Sequence, residues 1–288
     1  MNRSTKYQLY GILFQILCLS ANLTAIFFLV ILITNIIANG YSFISWDFLT
    51  NFPSRFPEKA GILSALAGTT FMMIITAMFA IPLGVGTAIY LEEYARKNKL
   101  ISFIKLNIQN LAGVPSIVYG ILGLTIFVRG LDLQRSLLAG SLTMALLILP
   151  IITISAQEAL KGVSDSFRLA GYGIGMTRWQ VVRYQSLPVA MPGIMTGIIL
   201  ALSRAIGESA PMIMIGALAF VAYVPTTPMD FFTVMPIQIF NWTARPQTAF
   251  HDIAASGIIV LLTVLLLMNA LAIYIRIYYK KNYKHLYS

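Results

Sequence analysis

Arg204 and Glu208 stand four residues apart in LALSRAIGESAPMIM, a stretch otherwise apolar or small from Leu200 to Met214. A lone arginine at the middle of a bilayer costs about 2.5–3.5 kcal/mol on insertion scales. Spacing of i,i+4 puts both charges on one helical face, so they can neutralise each other. Two chemistries fit. The pair can be a fixed tie that holds its helix against neighbours. Alternatively, Arg204 faces a polar pathway and offers its planar, permanently charged fork to an oxyanion. Glu208 would then hold Arg204 between anions and keep the site weak enough to release its cargo.

Other chemistries find little footing. Cys18 is the single cysteine, and His251 and His285 are too far apart in sequence to suggest a ligand set. No nucleophile has a base at usable spacing and no carboxylate pair lies inside an apolar run, so an intramembrane enzyme lacks support. The chain has no G-x-x-x-x-G-K-[ST]. If it works with ATP, the nucleotide must sit on another chain.

The elements that must position Arg204 are membrane spans. The 288 residues are 58% hydrophobic and 10% charged, with a mean hydropathy of +0.80. A soluble domain carries about a quarter charged residues. At about 20 apolar residues per crossing, spans fall at Tyr10–Ala38, Ile62–Leu91, Leu111–Val128, Leu137–Ala156, Gly193–Tyr223 and Ile253–Tyr274. The first is too long for a signal-peptide core and reads as a retained anchor. The net charge of +10 would suggest nucleic acid in a soluble protein. Here the basic residues sit in short loops. Arg96, Lys97, Lys99, Lys105, Lys161, Arg168, Arg178 and Arg183 fall on the side of the termini. Only Arg55, Lys59, Arg129, Arg135 and Arg245 fall on the other side. That asymmetry puts both termini in the cytoplasm of a multi-pass membrane protein. Tyr278, Tyr279 and Tyr283, mixed with Lys280, Lys281 and Lys284, form an interfacial anchor. Glu92 and Glu93, followed by Arg96 and Lys97, read as a solvated interfacial cluster.

Glycine and proline mark further features. Pro82 lies mid-span, Pro115 lies in NLAGVPSIVYG within the third span, and Pro211 follows Glu208. Each is a candidate helix break, or simply a packing kink. Gly193 and Gly197 permit close helix approach. The stretch 157–190 is too long for a plain connection. Ser164, Asp165 and Ser166 supply N-cap chemistry, Gly173 and Gly175 can turn the chain, and Thr177 with Gln180 fits a capping box for a second helix, which Pro188 limits. Leu169, Tyr172 and Ile174 are then apolar groups outside the bilayer. They either pack back on the bundle or enter a partner's groove.

This loop resembles the EAA loop of ABC-importer permeases. Aligned on Gly175, Ala170 matches the first alanine of the motif, and Leu187 with Pro188 matches its closing pair. Leu169, Gly171 and Gln185 depart from it, and Leu169 replaces the motif's glutamate. PLGVGTAIYLEEYA, NLAGVPSIVYGILGL, AMPGIMTGIILALSRAIGESAP and HDIAASG together are similar to the PstA class of phosphate permeases, over about Gly61 to Ile275. The resemblance implies an all-α, six-helix type I importer bundle in the bacterial cell membrane. Residues 1–60 would form an anchor helix and first external loop, 61–280 the permease domain, and 281–288 a cytoplasmic tail.

The same resemblance implies a role: import of phosphate alongside a second, PstC-like permease. A PstB-like ATPase dimer carrying ATP and Mg would dock on Leu169, Ala170, Tyr172, Gly175, Leu187 and Pro188. A PstS-like extracytoplasmic protein would deliver phosphate. Arg204 and Glu208 would line the pathway, with no cofactor or metal in this chain and no nucleic-acid partner. A permease of the same architecture for another anion or small solute remains an alternative. So does a carrier or channel working without ATP, although the dock-like loop argues against it.

Overall fold

In lipid, a backbone must satisfy its own hydrogen bonds, and the apolar runs do so as helices. A computed structural model of the chain describes residues 3–96, 98–217 and 220–282, with side chains from 10 to 278 within these ranges. The helices are α1 (Arg3–Gly40), α2 (Trp46–Thr50), α3 (Leu63–Ile89), α4 (Lys99–Ala112), α5 (Ser116–Gly123), α6 (Leu137–Lys161), α7 (Asp165–Gly173), α8 (Arg178–Val181), α9 (Leu187–Gly207), α10 (Ala210–Ile215), α11 (Met235–Thr243) and α12 (Thr248–Asn282). Wide π turns extend α3 through Tyr94 and α5 through Gly130, and one joins α8 to α9. Five runs are long and apolar enough to cross a membrane, and the pair α4–α5, bent by 103°, passes the same test only when its two helices are taken together. No strand occurs among the described residues. Tyr283, Lys284, His285, Lys97 and the rest of the expected tail beyond Asn282 lie outside them.

Four expectations need correction. The third apolar segment is two helices, Lys99–Ala112 and Ser116–Gly130 with its π turn, bent by 103°, not a simple crossing from Leu111 to Val128. The helix of the fifth begins at Arg178 and stops at Gly207, with the short α10 following as a separate piece, rather than running as one helix from Gly193 to Tyr223. Pro188 does not limit the second loop helix: the π turn Val182–Ser186 carries α8 straight into α9, and Pro188 lies just beyond that turn. α3 likewise runs unbroken through Pro82. A proline removes only its own donor, and the bonds on either side of it keep that helix going.

α6 is the central post, packed between α3 and α9. Met72 and Ala80 of α3, Met144, Ile148 and Ile152 of α6, and Ile194 and Ala201 of α9 are buried in one cluster. Close approach depends on small residues. A Cβ on Gly84 would lie 2.8 Å from Ile152, and one on Gly193 would lie 2.8 Å from Ala159. A Cβ on Gly197 would collide with Ser155, so the two glycines serve the packing expected of them. Buried hydroxyls return bonds to their own helices, as Thr69 does to Ala65 and Ser141 to Leu137. Thr76 instead crosses from α3 to the Ser141 carbonyl at 3.1 Å. A second cluster, with Phe48, Trp242, Phe250 and Ile253, joins α2, α11 and the start of α12. α1 is tied at its end, where the Ser256 hydroxyl donates to the Gly40 carbonyl at 2.7 Å. Its most apolar stretch is otherwise bare.

α3 also seats the segment leading into α11. The Thr69 hydroxyl accepts from the Met235 N–H at 2.9 Å, and Gly68 lies directly against the Thr233 carbonyl. A side chain at 68 must push backbone, not a flexible tip. Gly68→Val is expected to destabilise the fold by about 1–3 kcal/mol. Gly86→Ala, where open space would receive the methyl, should change little. Thermal unfolding in mild detergent checks both.

Candidate functional site

The pairing of α9 with α6 fixes the height of Arg204. The helices run antiparallel, with Gly193 against Ala159 and Gly197 against Ser155. Continuing that register sets Arg204 level with Ile148, near the midpoint of α6. The Arg204 Nε donates to Glu208 Oε1 at 3.2 Å, and the two side chains are 45% and 20% exposed. Neither Nη group of Arg204 has a partner among the described residues. The guanidinium is held by one edge and open at the fork.

The local chain direction explains the arrangement. α9 ends at Gly207 because Glu208 is extended (φ −79°, ψ 117°), with its N–H on the Ala205 carbonyl. Arg204 therefore lies in the last turn of α9, where free carbonyls favour a cation. Pro211 falls in the first turn of α10. The two interrupted segments pack on each other: a Cβ on Gly120 of α5 would come within 2.7 Å of Met214 and 2.8 Å of Pro211. Pro115 caps α5 at the 103° bend. Tyr119 donates its hydroxyl to the Leu111 carbonyl at 2.8 Å, on the far side of that bend, and it lies within electrostatic reach of Arg204.

The second candidate site is the loop at the far end of α6. Ser164 caps α7, its hydroxyl accepting from the Ser166 N–H. Gly175 takes the left-handed conformation (φ +82°), which glycine adopts without steric cost. The Thr177–Gln180 box is present in both directions. Leu169 and Ile174 are 69% and 74% exposed. Ala170, Tyr172 and Gly175 are exposed with them, whereas Leu187 is half-buried and Pro188 buried inside the bundle. Of the six loop residues singled out in sequence, four share an open surface and two do not. The apolar side chains do not pack back. Trp179 and Tyr184 are also exposed and were not singled out in sequence.

Glu92 and Glu93 are not a solvated cluster. Glu92 accepts from Lys105 Nζ at 2.7 Å, and Glu93, 4% exposed, pairs with Arg168. Hydrogen bonding to Glu93 raises the Arg168 pKa above its ordinary value, outweighing burial. Sequence offered no signal for a pair so distant along the chain.

At the opposite end, one turn caps α6. Leu137 and Leu138 donate their N–H groups to the carbonyls of Asp230 and Pro228. The Asp230 carboxylate accepts from the Thr227 hydroxyl and from the N–H groups of Thr226 and Thr227. These bonds hold its pKa down to about 2, below the ordinary value of about 3.9. A depressed carboxylate stabilises the fold above its unfolded pKa and loses that contribution as pH falls through the folded one. Asp230→Asn should therefore unfold at a lower temperature than the parent near neutrality. The gap should close as pH drops from about 4 towards 2, as thermal scans would record.

These features define a class. A bundle of five long apolar helices and one sharply bent pair, with a capped amphipathic helix at one end, has the fold of an ABC-importer permease. A chain in the crystal structure of a bacterial ABC transporter involved in import of the acidic polysaccharide alginate superposes with a TM-score of 0.65. That match covers 93% of this chain and 98% of that one at 19% identity. The probable ABC transporter permease protein YqgI of Bacillus subtilis is 32% identical over 85% of this chain and 87% of its own length. The phosphate transport system permease protein PstA 1 of Mycobacterium tuberculosis is 33% identical over 76% of this chain and 72% of its own. Residues 80–281 match the binding-protein-dependent transport system inner membrane component family, and the chain belongs to it.

Proposed function

We propose that this chain moves inorganic phosphate across the bacterial cell membrane as one of two permease subunits of an ATP-driven importer. The names carried by relatives such as the mycobacterial PstA 1 support that cargo. The observation that carries the mechanism is the open fork of Arg204 at mid-height in the bundle. Phosphate oxygens match that fork, and Glu208 reclaims Arg204 once the anion leaves. A pathway site must bind well enough to admit its ion and weakly enough to release it.

The remaining parts follow from placement. Lys and Arg are concentrated at the α7 end, which is therefore cytoplasmic, with both termini. A PstB-like ATPase pair docks there on Leu169, Ala170, Tyr172 and Gly175, and ATP with Mg binds to that partner. A PstC-like permease completes the pathway, and a PstS-like protein delivers phosphate at the α11 end. The bare face of α1 suits lipid or the second permease. Reconstitution of the full complex in proteoliposomes tests the proposal. Phosphate should accumulate only with ATP on the α7 side. Uptake driven by an ion gradient without ATP would refute it.

A further inference from the structure

We infer that Arg168 is a positioning residue for transport: through Glu93 it makes α7 move as one body with α3 and α6. The inference rests on the functional reading above, in which an ATPase pushes on α7. One guanidinium ties three elements. Its Nε and Nη2 donate to Glu93 at the end of α3, at 3.2 and 2.9 Å. Nη2 also donates to the Leu160 carbonyl of α6 at 3.0 Å. Nη1 reaches the Val163 carbonyl at 2.8 Å and Asp165 at 3.0 Å. Leu160 lies in the last turn of α6, its carbonyl also accepting from the Val163 N–H at 3.2 Å, and Val163 lies just past that turn, where the helix end favours a cation. Arg168 is itself 18% exposed, so this junction is largely removed from water. Breaking one partner of such a pair is costly, because the other charge is left buried.

The directions of the neighbouring side chains give the junction its use. Arg168 points inward from α7, while the next residue, Leu169, is open to solvent. The helix thus presents one face for docking and anchors the other in the bundle. Its back is also tight against α8: a Cβ on Gly171 would lie 2.9 Å from Val181. α3 runs unbroken to its far end, where Thr69 holds the N–H of Met235. α6 runs to Leu137, capped by the Asp230 turn. A displacement of α7 therefore reaches the opposite membrane face through two continuous helices joined by one arginine. Lysine replaces it only in part, since a single ammonium lacks the planar fork that serves a carboxylate and two carbonyls together.

The test uses the complete reconstituted complex with Arg168→Gln, Arg168→Lys and Glu93→Gln. Three quantities are read: ATPase subunit co-purified, phosphate taken up, and phosphate moved per ATP hydrolysed. Arg168→Gln should retain the ATPase yet lower phosphate moved per ATP by at least about tenfold. Arg168→Lys should fall between it and the parent, and Glu93→Gln should shift in the same direction. Unchanged phosphate per ATP in both Arg168→Gln and Glu93→Gln would overturn the inference and leave the functional reading intact. Loss of the ATPase from the Glu93→Gln complex would also overturn it, making the pair part of the docking surface's folding. If Arg168→Gln fails to assemble, Glu93→Gln decides, since its amide oxygen can still accept. A parent complex without ATP-driven uptake would instead sink the functional reading, and this inference with it.

Discussion

Arg204→Gln is expected to cut phosphate uptake by about a hundredfold, the factor matching about 3 kcal/mol of lost charge-assisted hydrogen bonding. The complex should still assemble. Arg204 contributes little to packing, being 45% exposed and bonded, among the described residues, only to Glu208. Arg204→Lys keeps the charge and loses the fork, so uptake should recover only partly. Assembly is the discriminating control. If Arg204→Gln fails to assemble and Glu208→Gln added to it restores assembly, the pair is a structural tie. Loss of uptake from an intact complex places the guanidinium in the path of the anion.

The second large effect lies at the other end of the molecule and inverts this pattern. Leu169→Asp combined with Ile174→Asp should reduce the co-purified ATPase by at least about tenfold, because docking would bury two unpaired carboxylates where apolar side chains stood. Permease stability should not change, since both side chains already face solvent. Uptake is then lost through missing energy input, with Arg204 and Glu208 undisturbed. ATPase recovery equal to the parent would show that the docking surface lies elsewhere. Trp179 and Tyr184, exposed on the helix that follows, would be the next residues to substitute.

Much of this arrangement was legible in the sequence, for identifiable reasons. Span number follows from apolar length. The loop followed from local rules, since Ser164 and the Thr177–Gln180 box act within a few residues of themselves. The Arg204–Glu208 contact follows from i,i+4 spacing, and it survives even though the helix ends between the two. What sequence hid depends on packing between distant segments. Residues 210–223 are apolar enough to continue a span. Yet Gly207 releases the helix before Glu208, and Gly216 (φ +84°) turns the chain again. The short α10 can end there because α5 packs on it, a partner no local pattern announces. Glu93 sits at the end of an apolar run where charges are ordinarily wet. Only the fold brings Arg168 to it.

The most direct test of the central claim labels position 204 itself. Cys18 is the only native thiol, so Cys18→Ser followed by Arg204→Cys leaves one thiol in the permease. The complex is then treated with a small, water-soluble thiol reagent that adds a primary amine. A pathway position should react, react more slowly in the presence of phosphate, and regain part of the lost uptake as the cation is restored. An inert thiol, or labelling that is indifferent to phosphate and restores nothing, would contradict a guanidinium that meets the passing anion.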